Sequence, residues 1–87
     1  MRKVKYIRTI DNQIIVFPET IEHKRFKHFD PISAGFMSIV AIGDRVYNAG
    51  AIVQCSCYGE STSLGLVSNP EEDTKIANRQ LFNNDNG

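Results

Sequence analysis

Branched and aromatic residues gather in four short runs separated by turn-forming residues, and a helical spacing of apolar positions appears only near the C-terminus. The first two runs, Lys5–Ile10 and Gln13–Phe17, flank Asp11-Asn12, two residues that tolerate a left-handed backbone, so Val4 to Phe17 reads as a β-hairpin. Pro18 closes the second strand because it has no N–H for a ladder. Phe36–Ile42 and Ala51–Tyr58 form the other two runs, with turn chemistry between them at Gly43-Asp44-Arg45 and Asn48-Ala49-Gly50. Within the last run Ala51, Val53, Cys55 and Cys57 alternate with Ile52, Gln54, Ser56 and Tyr58. The first set is small and apolar, as a sheet face under a helix should be.

That helix follows. Asn69 suits the N-cap, Pro70 the first turn, and Glu71-Glu72-Asp73 complement the dipole. Glu72 stands three residues after Asn69, a variant of the capping box. Glu71 and Lys75 are spaced for an i,i+4 pair, and Ile76, Ala77 and Leu81 supply the buried stripe. Glu19 to Phe29 predicts at most a helical turn or two, lined by Ile21, Phe26 and Phe29, with His23-Lys24-Arg25 facing water. The expected architecture is α+β: an antiparallel sheet of four or five strands with the C-terminal helix across one face. It forms a single domain over 1–82, with a polar, flexible tail over 83–87.

A chain of 87 residues buries only about 60–65% of its unfolded surface, so self-association would help its stability. Ten Lys/Arg balance ten Asp/Glu, which argues against a general binder of long nucleic acids. The charge is uneven, however. Residues 1–30 hold seven basic and four acidic groups, and residues 31–87 hold three and six, giving +3 and −3. Such halves either attract one another or leave a basic patch for an anionic ligand. Two cysteines are too few for a disulfide framework. No apolar run of about 18 residues and no leader pattern is present, so the chain reads as cytoplasmic.

Gly59-Glu60-Ser61-Thr62-Ser63 differs from a nucleophile elbow because Ser63 stands where the second glycine belongs and Leu64–Val67 intervenes before the helix. Cys55, Cys57, His23 and His28 offer metal ligands, but a single residue between the cysteines is unusual for structural zinc. No metal and no cofactor is expected. Phosphate at the start of the helix would meet Glu71, Glu72 and Asp73, so that end satisfies itself. A charged surface turn at His23–His28 competes with its reading as a phosphate-binding patch carrying one aromatic residue. Beyond the last strand, Tyr58 could stack a base, while Glu60, Ser61 and Ser63 could bond its edge or a ribose. The competing reading is a structured loop in which the hydroxyls hold backbone groups.

The combination of Pro31-Ile32-Ser33-Ala34-Gly35-Phe36, Gly59-Glu60-Ser61, Ser63-Leu64-Gly65-Leu66 and Ser68-Asn69-Pro70-Glu71-Glu72-Asp73 resembles small proteins of bacteriophages and other bacterial mobile elements. The resemblance implies anti-defence proteins among its possibilities, including oligomeric ones that sequester nucleotide-derived immune signals and others that block defence proteins directly. The resulting expectation is a non-enzymatic, homo-oligomeric protein that captures a small anionic nucleotide-like ligand in the host cytoplasm. Its candidate contacts are Arg25 and His28 for phosphate, Phe36 or Tyr58 for stacking, and Glu60, Ser61 and Ser63 for polar recognition. The alternative is a module that inhibits a host or phage protein by docking through its sheet edge or helix face.

Overall fold

The first two runs pair through the turn their sequence demands. In the computed structural model, which describes residues 2–42 and 52–82, β1 (Arg2–Thr9) lies antiparallel to β2 (Ile14–Phe17). Asn12 takes the left-handed conformation at φ 63°. Thr9 fastens the turn: its N–H donates to Gln13 C=O at 2.9 Å, its hydroxyl donates to the Asp11 carboxylate, and it accepts from Gln13 N–H at 3.1 Å. β1 starts three residues earlier than the sequence suggests because it also pairs with β3 (Pro31–Ile42), where Arg2 faces Ile39. β4 (Ile52–Tyr58) completes an antiparallel sheet of order β2-β1-β3-β4. The turns expected at Gly43–Arg45 and Asn48–Gly50, and the tail 83–87, lie outside the described residues.

Two segments differ from expectation. His23–Phe29 is a 3-10 segment, interrupted at Phe26 (φ −109°, ψ 18°) and closed by left-handed Asp30. Its His23, expected to face water, is only 4% exposed. The hydroxyl-rich segment is a small hairpin, β5 (Glu60–Ser61) against β6 (Leu66–Val67), fastened by Ser68 N–H to Gly59 C=O at 2.9 Å. Gly35 makes its packing possible: a Cβ there would lie 2.3 Å from the Tyr58 carbonyl oxygen, a contact no side chain allows.

The sheet is covered on both faces. Helix α1 (Pro70–Phe82) sets Ala77, with Ile76, Leu81 and Phe82, against Tyr6, Ile14, Met37, Cys55 and Cys57. The buried cysteines bear out the alternation read from the sequence. On the opposite face Ile7, Phe17 and Ala34 lie beneath Ile21 and Phe26 of the 3-10 region and Leu64 and Leu66 of the small hairpin. The observed class is therefore α+β, with the C-terminal helix packed on one face of an antiparallel sheet.

Polar side chains of α1 also reach both borders of the sheet. Asn78 accepts from Cys55 N–H at 2.9 Å and donates to Cys55 C=O at 3.2 Å, while Thr74 accepts from Cys57 N–H at 2.9 Å. On the other border Gln80 accepts from Ile14 N–H at 3.1 Å and donates to Asn12 C=O. Exposed strand edges template association, and this helix satisfies border groups of Cys55 and Cys57 on one side and of Ile14 on the other.

Candidate functional site

The most concentrated polar chemistry lies under the start of α1. Alternation along β1 puts Tyr6 and Arg8 on the helix-covered face, and register places Arg8 opposite Ser33 of β3. Asp73, one turn into α1, descends onto all three. Arg8 Nε donates to Asp73 Oδ1 at 2.5 Å, Ser33 Oγ donates to Oδ2 at 2.8 Å, and the Tyr6 hydroxyl donates to the same carboxylate. Asn69 N–H adds a bond to Oδ2 at 3.0 Å. The reciprocal cap expected from Glu72 is thus made by Asp73, and Glu72 instead accepts from Asn69 Nδ2 at 3.5 Å.

Asp73 is wholly buried. Burial alone would raise its pKa, but the bonds from Tyr6, Asn69 N–H, Ser33 and Arg8 outweigh it and hold the group below the ordinary carboxylate range. Burial and the bond to Asp73 push the Tyr6 phenol well up. All four side chains are buried, so this cluster works as a lock between helix and sheet. In the sequence Asp73 reads only as a complement to the helix dipole, because Tyr6 and Arg8 lie more than sixty residues away and Ser33 forty.

The thiols are similarly enclosed. Cys55 and Cys57 are free and buried. The neighbouring Cys55 thiol, followed by burial, raises the pKa of Cys57, whereas the Cys57 thiol lowers that of Cys55. His23, on the opposite face, meets Gly35 C=O through Nε2 at 2.9 Å. Burial lowers its pKa against the opposing effect of that bond, with nearby Lys5 adding to the lowering. Among the described residues no cluster of three or more His, Cys, Asp or Glu could hold a metal ion.

Open chemistry lies where the second face loses its cover. Register aligns Phe17, Lys5, Phe36 and Tyr58 in one row across all four strands. The Phe36 and Tyr58 rings stack with centroids 6.0 Å apart and planes inclined by 28°. Lys3 Nζ sits 4.7 Å from the Phe36 centroid, within the range of a cation–π contact. The next row is Lys3, Ser38 and Ser56, followed by Val40 and Gln54. Ser56 and Gln54 are exposed, and Tyr58 is 38% exposed. The result is a cation, an aromatic pair and two hydroxyls on a rigid sheet.

The seven residues singled out in the sequence divide among three places. Phe36 and Tyr58 meet in the aromatic row. Arg25 and His28 are exposed on the 3-10 segment, where Arg25 lines a groove of about 270 Å³ with Lys24 and Ile21, and His28 lies against Phe29 at 4.3 Å. Glu60, Ser61 and Ser63 belong to the small hairpin. Ser61 is buried, accepting from Leu64 N–H at 3.2 Å with Ser63 Oγ at 3.4 Å, while Glu60 is exposed. Ser61 therefore holds its turn, as the competing loop reading allowed. Lys3, Ser38 and Ser56 went unmarked in the sequence, although alternation from Phe36 and Tyr58 points to both serines.

Comparison with protein-family models, with characterised proteins and with solved structures finds no match for this chain. No helix among the described residues is long and apolar enough to cross a membrane.

Proposed function

We propose that this chain is a non-enzymatic binding protein that captures a small anionic, nucleotide-type ligand on the uncovered part of its second sheet face. One observation carries the reading: the stacked Phe36–Tyr58 pair with Lys3 held over Phe36. A base would stack on Tyr58, Ser38 and Ser56 would supply hydrogen bonds to its edge or to ribose, and Lys3 would neutralise phosphate. His23 packs edge-on to Phe36 at 6.0 Å, so the 3-10 segment bearing Arg25 and His28 begins beside the aromatic row.

Ligand sites bury about 70–90% of a small molecule, and one sheet face cannot do so alone. A second copy laid over the same face would close the site, which makes sequestration by a homo-oligomer the natural extension. The likeness to small bacteriophage proteins favours a nucleotide-derived signal as the ligand.

Calorimetry with mononucleotides, cyclic di- and trinucleotides and cyclic ADP-ribose isomers tests the proposal. Binding of at least one is expected, and Tyr58→Ala should weaken it by about 1–3 kcal/mol, the worth of one stacked base. No heat and no thermal shift with any ligand, or unchanged affinity in Tyr58→Ala, would remove it.

A further inference from the structure

Among the described residues the sheet border is open beyond the end of β2. Hydrogen-bond phase along β1 is set at its far end, where Thr9 N–H donates to Gln13 C=O. Peptide groups facing a given neighbour recur at every second residue of an antiparallel strand. Ile7, Lys5 and Lys3 therefore direct theirs toward β2. But β2 ends at Phe17, opposite Lys5. Pro18 offers no N–H, and its carbonyl turns back to accept from Ile21 N–H at 3.1 Å. Among the described residues no strand meets the outward N–H and C=O of Lys3, although β3 pairs Arg2, Lys3 and Val4 from the other side.

A groove of about 550 Å³ lies beyond the end of β2, lined by Val4, Val16, Phe17 and Ile39 together with the charged Arg2, Lys3 and Glu19. Its volume lies within the roughly 300–1,000 Å³ of ordinary ligand sites. Elsewhere Asn78, Thr74 and Gln80 meet the border groups of Cys55, Cys57 and Ile14.

We infer that this groove receives an extended peptide segment of another protein, with acidic residues alternating with branched apolar ones, which continues the β2 ladder along Arg2–Val4. Lys3 would exchange main-chain bonds with the segment, as in strand addition to other sheet edges. Apolar side chains on one side of the incoming strand would enter the groove over Val4, Val16 and Ile39, and acidic ones on the other side would meet Lys3, which faces away from Val4 on β1. Glu19, 3.6 Å from Lys3 Nζ, forms a half-exposed ion pair of the weak surface kind, which an incoming carboxylate can replace. A second copy of this chain is the poorer occupant, because a two-fold pairing of these segments sets Arg2 and Lys3 against their own counterparts.

The test is fluorescence anisotropy with a fluorescein-labelled hexapeptide alternating valine and glutamate, beside a lysine-for-glutamate version. Saturable binding of the acidic peptide is expected, with the lysine peptide at least about tenfold weaker. Lys3→Pro removes the outward N–H together with the ammonium and keeps the Lys3 carbonyl, and should weaken peptide binding about tenfold beyond the loss seen in Lys3→Ala. Lys3→Ala removes the ammonium but keeps the N–H, so both variants should weaken a nucleotide on the aromatic face equally, whereas only Lys3→Pro should carry the further loss of peptide binding; that difference separates this site from that one. Circular dichroism checks that both variants fold, and in the unaltered protein the Lys3 amide should gain protection from hydrogen exchange when the peptide is added. No binding at millimolar peptide, equal binding of both peptides, no added protection at Lys3, or sedimentation showing self-pairing that Lys3→Pro abolishes would each overturn the inference.

Discussion

The two faces of the sheet are finished by different means. One carries a helix fixed by a buried carboxylate that joins Tyr6, Arg8 and Ser33, and by side chains that satisfy strand backbones. The other is covered in part by a 3-10 segment and a small hairpin, beyond which Tyr58 and Ser56 are exposed and Phe36 and Ser38 half-buried. The first face is chemically rich but closed, and the second is sparse but open. In this molecule concentration of polar groups marks stability, while binding potential follows from where cover stops.

Removing the closed face's carboxylate is the sharpest way to break that contrast. Asp73→Ala leaves Arg8 buried without its counter-charge, and loss of one partner of a buried pair costs about 3–5 kcal/mol. That is a large share of the roughly 5–15 kcal/mol that holds a domain together. Urea denaturation should show the loss; a change below about 1 kcal/mol would mean that the cluster is not a lock.

Acid separates the two faces by pH. His23, on the open-sided face, has its pKa lowered from the ordinary 6.5 by burial. The unfolded chain therefore takes up the proton first, and the stability this histidine contributes is complete above 6.5 and erodes as pH falls below it. Asp73 is held below its ordinary 3.8, so its contribution is complete above that value and is lost only as pH falls through the depressed one. The melting temperature should decline in two stages, and His23→Gln should remove the upper one. A flat profile from pH 7 to 5 would contradict the first assignment.

The smallest effect belongs to Glu60. It is exposed, and Glu60→Gln should shift stability by no more than about 0.5 kcal/mol and leave nucleotide affinity unchanged if the open site lies on Phe36 and Tyr58. A lost affinity in that titration would draw the site back toward the small hairpin.

Features governed by neighbours in sequence were legible. Asp11-Asn12 announced the first turn, Asn69-Pro70 the start of the helix, and Cys55 and Cys57 the face beneath it. The charge split also had a structural counterpart, since Arg8 and Asp73 come from the basic and acidic parts. What depended on distant partners was hidden. Asp73 looks like any acidic residue in a first helical turn until the fold brings Tyr6 and Arg8 to it. His23 sits in a run of cations that solvent would ordinarily take, and only its fit against Phe17 and Gly35 draws it inward. The open face was half visible: its aromatics stood out, whereas Lys3 joined them only through the β1–β3 register.

The side chains of Thr74, Asn78 and Gln80 tie the chain's colloidal fate to one element. Shedding the helix would free strand groups of Cys55, Cys57 and Ile14 on opposite borders of the sheet in a single event, together with two thiols. A partly opened molecule would then be a seed for fibril growth, and conditions that loosen this helix should produce aggregates before they produce unfolded monomer.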